Sequence, residues 1–326
     1  MRTALVTLFS LVLAACGGGG GDPGAPAPTP APQSGPTDAQ RIAAATSTAE
    51  NNAECNAIRP FYWELGDRSA KRASGSVGGT TYTATTAMGI ASSSKWIYSA
   101  YVLERRAGAV TATDVRFLSF VSGYASFRSL SCTSAATVDA CLNTGNNGQY
   151  TPASDGRFDY GGGHMQRHAH DLGLGSLSNA GLATEVQSQI GDFGFSYSEP
   201  QPAGGVFATA DAYAAFLRKM LSGQLQIASQ LGTHAVCTNP LTCATADYTP
   251  IPSNESWHYS LGHWVEDDHV VGDGAFSSAG AFGFYPWIDS SKTWYGVIAR
   301  MNLQGGYESA RCGRLIRKAW VTGAAV

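Results

Sequence analysis

The sequence predicts one α/β domain of the α+β kind: an antiparallel sheet built from both chain ends, flanked by helices, with a mostly helical lobe inserted between them. Three observations predict it. From residue 38 onward the elements run helix, strands, helical middle, strands, helix, an order that suits one layered core. Six cysteines remain once Cys16 is set aside, and pairing Cys55 with Cys312 would join the two ends. The chain is 44% hydrophobic with 39 glycines in 326 residues. That is ordinary for a globular protein, too apolar for a disordered one, and without the Gly-X-Y period of collagen.

Each element has its own signal. Asp38 to Asn52 is Ala-rich with an acid near its start, so it reads as a helix. Phe61 to Leu65 is aromatic and reads as a strand, with Gly66-Asp67 as the turn and Ala73 to Tyr82 as the returning strand. Ser92 to Arg106 is the clearest helix. Ile97, Ala100, Tyr101 and Leu103 form its apolar stripe, and Gly108 stands near its end. Cys132 to Arg157 is rich in Asn, Gly and Thr and reads as an insertion pinned by one disulfide. Leu182 to Ile190 and Ala210 to Leu221 are helical by pattern. Strands are predicted at Trp257 to Glu266, Ala281 to Ile288 and Trp294 to Met301. Ser309 to Val321 closes the chain as a helix, with Leu315, Ile316 and Trp320 on one stripe.

The first 37 residues read as export machinery. Met1-Arg2-Thr3 is a short basic start, and Ala4 to Leu13 is an apolar run of ten, too short to span a bilayer. Leu13-Ala14-Ala15-Cys16 ends it and resembles the bacterial lipobox, which implies a signal peptide over 1–15 and lipidation of Cys16. An ordinary signal peptide with an incidental Cys16 is the other reading. Residues 16–37 hold five consecutive glycines and then six of the chain's 14 prolines, the composition of a tether. Gly17 after the anchor, by the same resemblance, implies outer-membrane sorting. The expected product is an outer-membrane lipoprotein, periplasmic or at the cell surface, or released from it, with a folded domain over 38–326.

Charge and cysteine usage agree. A net charge of −3 offers no basic footprint, which excludes nucleic acid as an expected partner. An even cysteine set in an exported chain reads as disulfides. Cys132 with Cys141 and Cys237 with Cys243 are close in sequence, leaving Cys55 with Cys312. A metal site is the competing use of these residues, but no Cys-x-x-Cys occurs. No metal or cofactor is expected.

Three motifs carry chemistry. Ser92-Ser93-Ser94-Lys95 opens the clearest helix, so Ser92 and Lys95 share a face. A serine hydroxyl needs a base, and a lysine serves as one only if its pKa falls. The bland reading is a capping serine followed by a surface lysine. Tyr160 in Phe158-Asp159-Tyr160-Gly161-Gly162-Gly163-His164 sits on a backbone able to approach closely, and a phenol near a cation can exchange protons. Its alternative is a packing tyrosine in a glycine turn. Phe276 to Trp287 passes from small residues into an aromatic strand, as an edge strand lining a cleft would.

In this order the motifs resemble the serine β-lactamase and penicillin-binding-protein superfamily. Within it they are most similar to class C β-lactamases and to carboxylesterases and nylon-oligomer (6-aminohexanoate) hydrolases. The family order is Ser-x-x-Lys, Tyr-x-Asn, then Lys-Thr-Gly or His-x-Gly, and Leu118-Ser119-Phe120-Val121-Ser122-Gly123-Tyr124 looks like its Leu-Leu-x-His-x-Ser-Gly segment. The resemblance implies a β-lactamase-like fold and an acyl-enzyme mechanism. Ser92 would be the nucleophile, Lys95 its partner and Tyr160 the proton carrier, with the base left between Lys95 and Tyr160. Backbone N–H groups of Ser92 and Ala281 would form the oxyanion hole, with Gly280, Ser278 and Gly162 beside the substrate.

The departures set the expected substrate. Gly162 stands where Tyr-x-Asn has asparagine, and Ser278 stands where Lys-Thr-Gly has lysine. Losing both groups argues against efficient β-lactam hydrolysis and favours a small or oligomeric ester or simple amide. A β-lactamase or cell-wall D,D-peptidase, and a non-catalytic surface binding protein, are the alternatives. His164 and His168, four apart in the His164 to His170 stretch, could share a helical face as metal ligands, though a packed or solvated stretch is the commoner outcome. A Gly-x-Ser-x-Gly elbow is absent, which speaks against an α/β-hydrolase. Trp257, Trp264, Trp287 and Trp294 are expected mostly in the core.

Overall fold

Thr37 starts the folded chain. Its hydroxyl accepts from the Gln40 N–H while the Gln40 side chain accepts from the Thr37 N–H, a capping box that launches α1 (Asp38–Asn51). The computed structural model describes residues 35–127, 132–303 and 305–326. The predicted signal segment, Cys16 and nearly all of the tether lie outside the described residues. Residues 36–326 form one compact unit.

After α2 (Ala53–Asn56) come β1 (Phe61–Asp67) and β2 (Lys71–Val77). The pair expected to turn, Gly66-Asp67, instead extends β1. The reversal falls at residues 68–70, where the Asp67 carboxylate accepts from the Ser69 N–H and hydroxyl and the Ala70 N–H. β2 stops at Gly78, whose φ of 77° ends the extended run predicted to reach Tyr82. β3 (Met88–Gly89) leads into a 3₁₀ turn at Ala91–Ser93 and α3 (Ser94–Arg105). The lobe follows: α4 (Ala112–Leu118), α5 (Val138–Leu142), β4 (Phe158–Asp159), α6 (Gly163–Asp171) and α7 (Asn179–Ile190). Then come β5 (Ser196–Tyr197), β6 (Val206–Ala208), α8 (Ala210–Leu221), α9 (Ile227–Gln230), β7 (Val236–Cys237) and β8 (Ala246–Tyr248). The last third holds β9 (His258–Ser260), β10 (His263–Glu266), β11 (Ala275–Ser277), β12 (Tyr285–Ile288), β13 (Trp294–Ala299) and α10 (Gly306–Thr322).

Eight strands form the main sheet in the order β2-β1-β13-β12-β11-β10-β9-β7, with every pairing antiparallel. The chain ends meet at the β1–β13 pair, where Tyr62 faces Ala299 and Trp63 faces Ile298. Side chains alternate across a strand. Tyr295 of β13 therefore reaches Arg218 of α8 on one face, while Trp294 stacks edge-on against Trp320 of α10 on the other. α1 packs along α10. Cys55 bridges Cys312 with a Cα separation of 4.8 Å, and the Cys132–Cys141 and Cys237–Cys243 bridges also form.

Three strand expectations change. The predicted strand Trp257–Glu266 is a hairpin, β9 and β10, broken at Gly262. There φ is 73°, and a Cβ would stand 1.9 Å from Ser99 Oγ and 2.7 Å from the Lys95 carbonyl oxygen. The glycine thus permits both the turn and close packing on α3. Ala281–Phe284 is turn rather than strand, with the Gly283 N–H bonded to the Gly280 carbonyl. The aromatic strand expected at an edge is β12, and it lies between β11 and β13. Its neighbours fill both of its hydrogen-bonding edges, and the loop before it, with Ala281 and Phe282, faces the cavity instead.

Residues 94–103 of α3 are buried on every side, so the predicted stripe is a fully enclosed helix. Trp257, Trp264 and Trp287 are core residues, and Trp294 is half-buried.

Candidate active site

The 3₁₀ turn at Ala91–Ser93 carries Ser92 to the mouth of a cavity. Ala91 holds it there with φ of 44°, a left-handed conformation that costs a non-glycine residue energy. The flanks secure that conformation. The Ile90 N–H donates to the Val206 carbonyl at 3.0 Å. Ser94 Oγ donates to the Ala91 carbonyl at 2.6 Å and accepts from the Val206 N–H at 3.1 Å. Ser93 turns inward, donating to the Ser278 carbonyl at 2.6 Å. Of three adjacent serines, Ser92 lines the cavity and the other two are structural.

One turn on, Lys95 Nζ donates to Ser92 Oγ at 2.8 Å and to the Ala203 carbonyl at 2.8 Å. The lysine is 5% exposed and has no carboxylate partner among the described residues. Burial alone pulls its amine down to about 7. A surface lysine is thereby excluded.

Tyr160 approaches from the other side. Its N–H donates to the Tyr248 carbonyl at 3.1 Å, and its ring stacks on Trp264 with centroids 5.0 Å apart. Lys95 Nζ stands 4.9 Å from the Tyr160 ring centroid. Burial pushes the phenol up to about 12, against hydrogen bonds from Ser92 and Trp264 that favour the phenolate. Tyr160 therefore carries its proton at neutral pH.

Ser92, Lys95, Tyr160, Gly162 and Ala281 line one cavity of about 410 Å³. Among the described residues, the N–H groups of Ser92 and Ala281 have no backbone acceptor, leaving both available to an oxyanion. Gly280 and Ser278 stand behind this wall. The Gly280 N–H is occupied by the Phe284 carbonyl, and Ser278 Oγ donates to the Ser92 carbonyl at 3.2 Å. At Gly162 a Cβ would come within 2.8 Å of the Phe127 ring, so an aromatic occupies the space beside the missing side chain.

The geometry assigns the neighbouring motif residues to packing. Ser122 bonds His164 at 2.7 Å, and Phe120 stacks on that imidazole with centroids 4.9 Å apart. His164 is pushed down to about 3 by burial. His168 pairs with Asp114 and Tyr98, and His170 with Asp139. The three histidines thus bond different partners, and no group of metal-binding side chains occurs among the described residues.

The chain has the fold of the serine β-lactamases and penicillin-binding proteins. D-amino acid amidase from Ochrobactrum anthropi SV3 superposes with a TM-score of 0.63 at 11% identity, over 85% of this chain and 100% of that one. A protein from Bacteroides dorei designated a β-lactamase gives 0.58 at 18% identity, over 80% and 93%. A penicillin-binding protein from Bacillus halodurans gives 0.53 at 13%, over 77% and 94%. No family model matches the sequence, and no curated protein does.

Within this fold the sequence motifs miss the loop at 198–205 and the wall residues Phe127, Phe207 and Met301. Ala203 acts through its backbone carbonyl, so its side chain carries no signal. Gly205 is the trace of the loop's fold-back: a Cβ there would lie 2.3 Å from the Glu199 carbonyl oxygen. A cavity of about 1040 Å³ lies elsewhere, beside α10. Its arginines 311, 314 and 317 are paired with Glu54, Glu255 and Asp273.

Proposed function

We propose that the protein is an exported serine hydrolase, anchored through Cys16 to the outer membrane, that cleaves carboxylic esters or simple amides through a Ser92 acyl-enzyme. The observation that carries this reading is the 2.8 Å contact between Lys95 Nζ and Ser92 Oγ in a cavity shared with Tyr160 and Ala281.

Lys95, free as an amine above about pH 7, takes the Ser92 proton as Oγ bonds to the carbonyl carbon. The displaced electron pair moves to the carbonyl oxygen, held by the N–H groups of Ser92 and Ala281. The proton then passes from Lys95 by way of Tyr160 to the leaving alkoxide or amine as its bond to carbon breaks. Water repeats these steps in reverse and frees the acid. Tyr160, protonated at neutral pH, is the proton carrier, and Lys95 is the base.

An amide substrate is supported by the likeness to the D-amino acid amidase. Ser278 argues against a β-lactam, since its hydroxyl is turned onto the Ser92 backbone and supplies no cation for a substrate carboxylate. The test is intact mass after treatment with a fluorophosphonate, followed by a p-nitrophenyl ester series. A Ser92 adduct with turnover supports the hydrolase. A folded protein that forms no adduct supports a non-catalytic binding protein instead.

A further inference from the structure

Glu199 lines the Ser92 cavity, half-buried, and no cation reaches it among the described residues. Desolvation alone moves its carboxyl, upward, so no nearby positive charge compensates it. The other charge on the wall, Lys95, spends its hydrogen bonds on Ser92 and Ala203. A half-buried carboxylate without a counter-charge is costly, and such a site gains from a ligand that supplies one. Apart from Ser92, Ser198 and Gln201, the rest of the wall is apolar and aromatic, with Phe127 and Phe282 half-buried and Phe207 and Met301 exposed. Aromatic faces beside a carboxylate suit an alkylammonium.

We propose that Glu199 is a specificity determinant that selects ester or amide substrates bearing an ammonium group on a short apolar stem. This deepens the hydrolase reading and rests on it.

Two isosteric pairs test it and locate the charge. On the acyl side, p-nitrophenyl 4-(trimethylammonio)butanoate is compared with p-nitrophenyl 5,5-dimethylhexanoate. On the leaving-group side, butyrylcholine is compared with 3,3-dimethylbutyl butyrate. The expected result is a kcat/KM preference of roughly tenfold for the cationic member of at least one pair. That ratio should collapse toward unity in Glu199→Gln and invert in Glu199→Lys, and it should shrink with added salt in the parent protein. Turnover of both members with no cationic preference, or a ratio unchanged in Glu199→Gln of parental melting temperature, overturns the Glu199 proposal and leaves the hydrolase standing. No turnover of any ester overturns both.

Discussion

The hydroxyl of Ser278 donates to the carbonyl oxygen of Ser92 across 3.2 Å. A side chain that would be a substrate-facing lysine in the Lys-Thr-Gly pattern here braces the backbone of the candidate nucleophile. Lys95 is then the one cation among the described cavity residues, and its state governs the site.

Replacing Ser92 with Ala is expected to abolish hydrolysis. Ser93→Ala and Ser94→Ala should retain most activity per folded molecule. Both nevertheless remove buried hydrogen bonds, to Ser278 and to Ala91 and Val206 respectively. Each should cost about 1–3 kcal/mol in urea unfolding. An active Ser92→Ala protein would contradict the mechanism.

The pH profile of kcat/KM should rise through about pH 7 as buried Lys95 loses its proton. Below that point activity should fall about tenfold per pH unit. Tyr160, pushed up to about 12, should stay protonated across the neutral range. A controlling limb near pH 3, where His164 titrates, would point to a different base.

Lys95→Met should inactivate the protein and stabilise it. The folded-state amine lies near 7 against an ordinary 10.5, so the native fold carries the full cost of a buried ammonium below pH 7. Between about 7 and 10.5 the unfolded chain binds more protons than the folded one, and that cost fades as pH rises. The gain in the variant should therefore be on the order of a few kcal/mol at pH 7 and vanish toward pH 10.5. Thermal or urea unfolding at several pH values checks this, and a gain that grows with pH would refute it.

The disulfides should differ in weight. Cys55–Cys312 closes 257 residues, while Cys132–Cys141 and Cys237–Cys243 close 9 and 6. Chain entropy assigns about 5–6 kcal/mol to the first and about 2–3 kcal/mol to each of the others. Double alanine variants of each pair, compared by denaturant midpoint, should rank in that order.

Much of this was legible without coordinates, because it depends on neighbours in the chain. The three-residue spacing of Ser92 and Lys95 puts both on one helical face in any fold that keeps the helix, and Ala210–Leu221 forms as patterned. An even cysteine set with two short spacings left one long bridge to join the chain ends, and that bridge forms. Strand limits were less legible. Gly66-Asp67 and Ala281–Phe284 carry ambiguous local signals, and sheet pairing decided which side of the turn they joined.

Tertiary structure decided what sits around the serine. The Lys95 amine is held below its ordinary range because the enclosed helix α3 strips water from it, an effect of packing from elements distant in sequence. Glu199 and Ala203 reach the cavity on a loop more than 100 residues away, and Ala203 meets Lys95 there through its backbone oxygen. The sequence alone determined which groups exist and which share a helical turn. Their charge states and their meeting in one cavity follow from burial and long-range closure, which no local pattern encodes.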